Sequence, residues 1–132
     1  MHHGAVSEIV DLDRLLEVAA GFGTVPLLLS VDESGRPRAA AVSVTWDGPV
    51  AIVRAGHRSV SNAAVRPLVS LLWPAPPGER FALLVDGETQ AVRVDPPDDV
   101  VDTRGSGRSH KPGGTVTLRV TSALLHVVAG KN

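Results

Sequence analysis

A change of period near residue 24 limits the fold more than any other feature of this chain. Before it, Leu12, Leu15, Leu16, Ala19 and Phe22 recur at helical spacing behind Asp11, a residue suited to an N-cap, and Gly21 and Gly23 close the run. After it the pattern is that of short strands. Pro26 to Val31 is apolar but for Ser30, Asp32-Glu33-Ser34-Gly35 turns the chain, and Arg38 to Trp46 alternates. Ala40, Val42, Val44 and Trp46 share one face of that strand; the small residues Ala39, Ala41, Ser43 and Thr45 share the other. Asp47-Gly48 then supplies the positive φ angles of a two-residue hairpin turn and sends Val50 to Val53 back antiparallel.

The meander continues to the end of the chain. Gly56 breaks the third strand, Ser59 to Val65 is expected to form a brief helix, and Pro67 makes Arg66 unfavourable for more helix. Leu68 to Trp73 reads as a fourth strand. Pro74 to Gly78 is a stiff loop before Phe81 to Val85, Asp86-Gly87 and Ala91 to Val94. Apolar residues fall on odd positions before Gly87 and on even positions after it, so the inward face slips by one, as a turn or a bulge requires. Asp95 to Pro112 has no period and is expected to be a flexible connection; Val116, Leu118, Val120 and then Leu124 to Val128 give one or two last strands. The whole, residues 1–132, reads as a single mainly β domain. Six to seven short antiparallel strands close into a barrel, with one N-terminal helix and one short mid-chain helix.

Composition narrows the function classes. Cysteine is absent, which excludes disulfides, thiolate metal sites and a cysteine nucleophile, so redox work needs a borrowed cofactor. Thirteen Lys and Arg stand against 14 Asp and Glu, and aromatic residues make up 3% of the chain. An oligonucleotide-binding barrel, which needs a basic track and stacking aromatics, is therefore disfavoured, and no nucleic acid is expected as partner. No apolar run approaches the ~20 residues of a membrane helix, and Met1-His2-His3-Gly4 lacks a secretory pattern, so the expectation is a cytoplasmic protein without membrane association.

The densest chemistry lies in Arg54-Ala55-Gly56-His57-Arg58-Ser59-Val60-Ser61-Asn62, where a strand ends and a helix begins. Free backbone N–H groups at a helix start, flanked by cations, suit a phosphate. The plainer alternative makes Ser59 the N-cap, lets Asn62 satisfy the first turn and leaves Arg54, His57 and Arg58 in solvent. In a hairpin about Asp47-Gly48, Arg38 falls opposite residue 57 or so, where it could converge with Arg58 or simply cover apolar neighbours. The small row Ala39, Ala41 and Ser43 offers a bed for a flat ring, or fits a tight barrel. Trp73 can stack on an aromatic ring or pack inside, and His126, alternating with Leu124 and Val128, reads as a core or interface histidine. The basic run Arg104 to Lys111 either folds over an anion or stays solvated. Asp95, Asp98, Asp99 and Asp102 lack metal-cage spacing, and no metal site is expected. Phosphate-loop, nucleophile-elbow and paired-histidine motifs are missing, and no catalytic side chain is singled out.

Four segments, Gly35-Arg36-Pro37-Arg38-Ala39-Ala40, His57-Arg58-Ser59-Val60-Ser61-Asn62, Pro67 to Pro74 and Leu83-Leu84-Val85-Asp86-Gly87, together resemble the pyridoxamine 5'-phosphate oxidase-like superfamily in order and interval. The resemblance covers Thr24 to Val94 well and the last strands loosely. It implies a Greek-key-type split β-barrel, a homodimer with cofactor sites between subunits, and FMN or a deazaflavin as cofactor. By position, Arg38, Arg54, His57, Arg58, Ser59 and Asn62 would surround the cofactor phosphate and its tail. Where many members carry lysine three residues before the asparagine this chain has Ser59, which leaves the charge to Arg58. The resemblance further implies that the strand after the proline loop bends at Asp86-Gly87 rather than turning back, the bulge of the two alternatives. The expected activity is hydride transfer between cofactor and a small molecule; the rival is a non-enzymatic flavin or haem carrier on the same barrel.

Overall fold

The computed structural model of the chain describes residues 7–96 and 112–128. Near its start a 3-10 turn over Leu12–Arg14 runs into α1 (Leu15–Ala20). Asp11 stands ahead of the turn in extended backbone, yet its side chain makes no capping hydrogen bond, contrary to expectation. A helix so short cannot hold itself in water and depends on packing. Leu15 and Ala19 supply that packing from the core side, whereas Leu12 and Leu16 each remain 43% exposed. Ahead of it lies β1 (Ser7–Ile9), a strand the sequence did not announce because three residues are too few for a period.

The strands follow as β2 (Leu27–Val31), β3 (Pro37–Ala41), β4 (Ser43–Asp47), β5 (Val50–Ala55), β6 (Leu68–Trp73), β7 (Phe81–Val94) and β8 (Gly114–Val127), with α2 (His57–Val65) between β5 and β6. They form one antiparallel sheet in the order β3-β2-β6-β7-β8-β5-β4, and β1 pairs with β8 off that path. The two ends of the path, β3 and β4, are consecutive in the chain, with only Val42 between them. At this junction Val42 N donates to Pro26 O at 3.0 Å and Val44 N to Thr24 O at 2.9 Å, so the sheet curls round and its far edges meet. What reads as a single alternating strand from Arg38 to Trp46 is thus shared between two partners: β3 pairs with β2 and β4 with β5. Arg38 consequently lies opposite Ser30 and not near residue 57.

The expected hairpin forms one residue further on: Asp47 is the last strand residue and pairs with Val50, so Gly48 and Pro49 make the two-residue turn, and of the two Gly48 alone takes a positive φ, 58°. Between Asp86 and Gly87 the β7–β8 register shifts, so the strand bends there and continues, and it shifts again between Thr89 and Ala91. Gly87 permits the bend, since a Cβ there would sit 3.2 Å from the Arg119 carbonyl oxygen. The last strands are one, β8.

Inside the barrel Leu28, Leu71, Leu83, Val85, Val53, Val116 and Leu118 are at most 1% exposed. Each such side chain contributes roughly 1.5–3 kcal/mol through burial. Trp73 belongs with them: it is 1% exposed, stacks on Trp46 with centroids 6.4 Å apart, and donates from Nε1 to Gly23 O at 2.9 Å. Its ring is committed to the core. His126 is exposed on the outer face, so it is no core residue.

Candidate functional site

The β2–β3 turn is built on one carboxylate. Asp32 Oδ1 accepts from Ser34 N at 2.9 Å, Ser34 Oγ at 2.7 Å and Arg36 N at 3.0 Å, while Gly35 takes the φ of 83° that closes the turn. The other oxygen, Oδ2, accepts from Arg38 Nε at 2.8 Å. The hydroxyl of Ser34, then the Arg36 amide and Arg38, hold the Asp32 carboxyl well below the ordinary carboxylate range. The sequence announced Asp32 only as a turn residue. Here it also fixes the guanidinium of Arg38 in place.

Across the cavity lies the start of α2. Its N-cap is Gly56, in extended backbone and with no capping side chain, and the first helical bond is Val60 N to Gly56 O at 3.0 Å. The amides of His57, Arg58 and Ser59 precede that bond and are left for another acceptor. Ser59 is therefore not the cap of the plainer alternative. It is one turn in, 7% exposed, and among the described residues no hydrogen bond engages its hydroxyl. Asn62, 8% exposed, donates from Nδ2 to Ser30 Oγ at 3.3 Å and so ties α2 to β2.

These two elements and the first half of β3 enclose a cavity of about 680 Å³ lined by Asp32, Glu33, Arg38, Ala39, Ala40, His57, Arg58, Ser59, Ser61 and Asn62. Its size is in the range of small-molecule and cofactor pockets. Five of the six residues singled out from the sequence, Arg38, His57, Arg58, Ser59 and Asn62, line it together. Arg54 does not. Its Nη1 and Nη2 grip Asp95 at 3.1 and 2.6 Å, and Nη1 also reaches Thr115 Oγ1 at 3.0 Å. Those hydrogen bonds, ahead of the attraction between the charges, hold Asp95 below its usual range and raise Arg54. The pair fastens the end of β7 to β5 at Arg54, two residues before the α2 cap. Asp32 and Glu33 are the lining residues sequence reasoning missed, and only the Asp-x-x-Gly turn ahead of Arg38 could have pointed to them. The basic run Arg104 to Lys111, with Asp98, Asp99 and Asp102, lies outside the described residues. Among the described residues no cluster of His, Asp or Glu could hold a metal ion, and no helix is long and apolar enough to cross a membrane.

No family model matches the sequence. An uncharacterized protein of Mycobacterium bovis is 37% identical over 102 residues, covering 68% of this chain and 70% of that protein, and one of Mycobacterium tuberculosis gives the same figures. Among solved structures, a Clostridium acetobutylicum protein of the pyridoxinephosphate oxidase family, related to general stress protein 26, superposes with a TM-score of 0.60 at 12% identity. It covers 92% of this chain and 93% of its own. An F420 reductase gives 0.56 at 18% identity over 76% of this chain and 88% of its own. The chain belongs to one family with the two mycobacterial proteins, and it shares its fold with the pyridoxinephosphate oxidase-family protein and the F420 reductase. HutZ, the haem storage protein of Vibrio cholerae, has the same fold, with a TM-score of 0.57 at 15% identity over 89% of this chain and 96% of its own. One fold therefore carries proteins named for quite different ligands, and the residues of this chain's own cavity must decide which of them suits it.

Proposed function

We propose that the chain is a flavin- or deazaflavin-dependent oxidoreductase, with FMN as the first choice of cofactor, acting on a small molecule. The observation that carries the reading is the cavity at α2. The uncapped start of α2 with Arg58 and Ser59, and Arg38 opposite, line one space large enough for a phosphorylated ligand. The donor set suits a phosphate. His57, Arg58 and Ser59 would hold it through the helix start, Arg38 would add a second cation already oriented by Asp32, and Asn62 would keep α2 against β2. Ala39 and Ala40, without bulk, leave room beside the β3 backbone for a flat ring. When bound, the isoalloxazine or deazaisoalloxazine ring supplies the hydride chemistry. The chain's own residues supply binding, orientation and the local field.

The protein is proposed to work as a homodimer in the cytoplasm. Support for the dimer comes from the outside of the sheet, where Ala41, Leu27, Leu72, Leu84, Leu124 and Ile9 stand opposite one another strand by strand. Ile9 is 83% exposed. A row of apolar side chains across six strands is more than a single soluble chain usually leaves to water. The row ends on β3, beside the cavity wall, so a second copy seated on it would lie against the site.

The absorbance spectrum of the purified protein, followed by fluorescence titration with FMN and riboflavin, tests the reading. FMN is expected to bind at least about tenfold more tightly than riboflavin, because only FMN brings the phosphate. Equal binding of the two, or none, would refute FMN as the cofactor, and failure of a phosphorylated deazaflavin to bind as well would refute the reading. The carrier alternative, favoured by the shared fold with the haem storage protein, predicts haem binding, or a flavin spectrum that no reductant changes.

A further inference from the structure

A cavity that takes a phosphate would be expected to exclude carboxylates, yet two line this one. Asp32 and Glu33 face the same space as Arg38 and Arg58. Asp32 is fully engaged. Three donors reach its Oδ1, and Arg38 Nε reaches its Oδ2. The charge of Arg38 is thereby balanced before any ligand arrives, although its Nη groups remain for hydrogen bonding. Glu33 differs. Arg66 Nη2 contacts only its backbone carbonyl oxygen, at 3.4 Å, and among the described residues its carboxylate has no ion-pair partner. The positive groups of the lining that no described acid balances are thus concentrated at the α2 start, in the free amides and Arg58, and the turn adds to the lining the Glu33 carboxylate, which no described residue pairs, while Arg36 of the same turn does not line the cavity.

Taking this cavity as the cofactor site, we infer that it accepts a single phosphomonoester carried on an uncharged, hydroxyl-bearing chain, and that Glu33 discriminates against tails with additional anionic groups. The chemistry follows from the acceptor. A carboxylate welcomes hydroxyl donors, so a polyol chain gains hydrogen bonds at Glu33. A second carboxylate or phosphate brought to the same turn meets like charge instead, and specificity then comes from repulsion as much as from attraction.

The test uses the full chain and two forms of one deazaflavin, the first with a tail ending after its single phosphate and the second extended by several glutamates. FMN serves as reference, and binding is read by fluorescence titration. At low ionic strength the glutamylated form is expected to bind about tenfold more weakly than the short form, and the gap to close near 0.5 M salt as screening takes over. Glu33→Gln should narrow the gap, and Glu33→Lys should reverse the order. Glu33 is exposed, so both variants are expected to fold, which their melting curves check. Equal or tighter binding of the glutamylated form by the unmodified chain overturns this inference while leaving the flavin reading intact. Failure of every phosphorylated form to bind overturns the flavin reading, and this inference with it.

Discussion

Replacing Gly113 with alanine tests the joint that supports the α2 end of the cavity. A Cβ at that position would sit 2.5 Å from the Ala55 carbonyl oxygen and 3.6 Å from Gly56 Cα, where ordinary contact begins at 3.4 Å. Nothing flexible can yield, because the obstacle is backbone. Gly113 is itself pinned by the bond from Asp95 N to its carbonyl oxygen at 3.0 Å, and its neighbour Gly114 pairs with Ala55 in the β5–β8 ladder. One strand must therefore move by nearly 1 Å. Overpacking of this kind costs about 1–3 kcal/mol, and with backbone on both sides the upper half of that range applies. For a domain of this size such a loss lowers Tm by roughly 6–12 °C. Since the displaced residue, Ala55, directly precedes the N-cap of α2, FMN affinity should also fall, by about tenfold.

The assay is thermal unfolding by circular dichroism together with FMN titration, with Gly35→Ala as control. Gly35 has φ 83° and open space around it, so alanine there pays only for the left-handed backbone, about 1–2 kcal/mol. A Gly113→Ala protein that melts within 2 °C or so of the parent, or that loses less than Gly35→Ala, would refute the close approach and the reasoning built on it.

Arg58→Ala should weaken FMN binding by about 1.5–3 kcal/mol and leave riboflavin binding unchanged, as parallel titrations would reveal. The Asp32 carboxyl is depressed in the folded state, so its contribution to stability is complete above the ordinary value of 3.8 and is lost as pH falls below it. Asp32→Asn should accordingly flatten the acid limb of a Tm-against-pH profile between neutral pH and pH 3 or so, and an unaltered limb would count against that assignment. Leu84→Arg, in the middle of the outer apolar row, should leave a folded chain that sediments as a monomer at concentrations where the parent is dimeric. A parent that is itself monomeric would remove the dimer proposal.

Much of the fold was legible because its signals are local. Asp47-Gly48 between two alternating runs dictates a hairpin, which forms one residue further on about Gly48-Pro49, and Pro67 followed by Leu68 dictates a strand start, which is where the sequence put it. The change of parity at Gly87 announced a slip of register, and the bend implied by the resemblance is the one found. What escaped was non-local. No residue near Val42 says that the strand changes partner there, because the exchange depends on Pro26 and Thr24 lying across the barrel mouth. For the same reason Arg38 reaches the cavity by a different pairing than the hairpin suggested. The helix start was read two residues late because Ser59 is a better cap by residue type than Gly56. Arg54, placed beside Arg58 by sequence, is drawn off by Asp95, which lies 41 residues further on.

Every residue lining the cavity falls between positions 32 and 62. The proposed anion site is therefore one continuous segment, folded back on itself by the β4–β5 hairpin, and β6, β7 and β8 act as its scaffold. Substitutions across the second half of the chain can reshape what approaches the ring while leaving the phosphate grip untouched. Within one lineage, changes of reactant should thus accumulate after residue 62, and changes of cofactor tail before it.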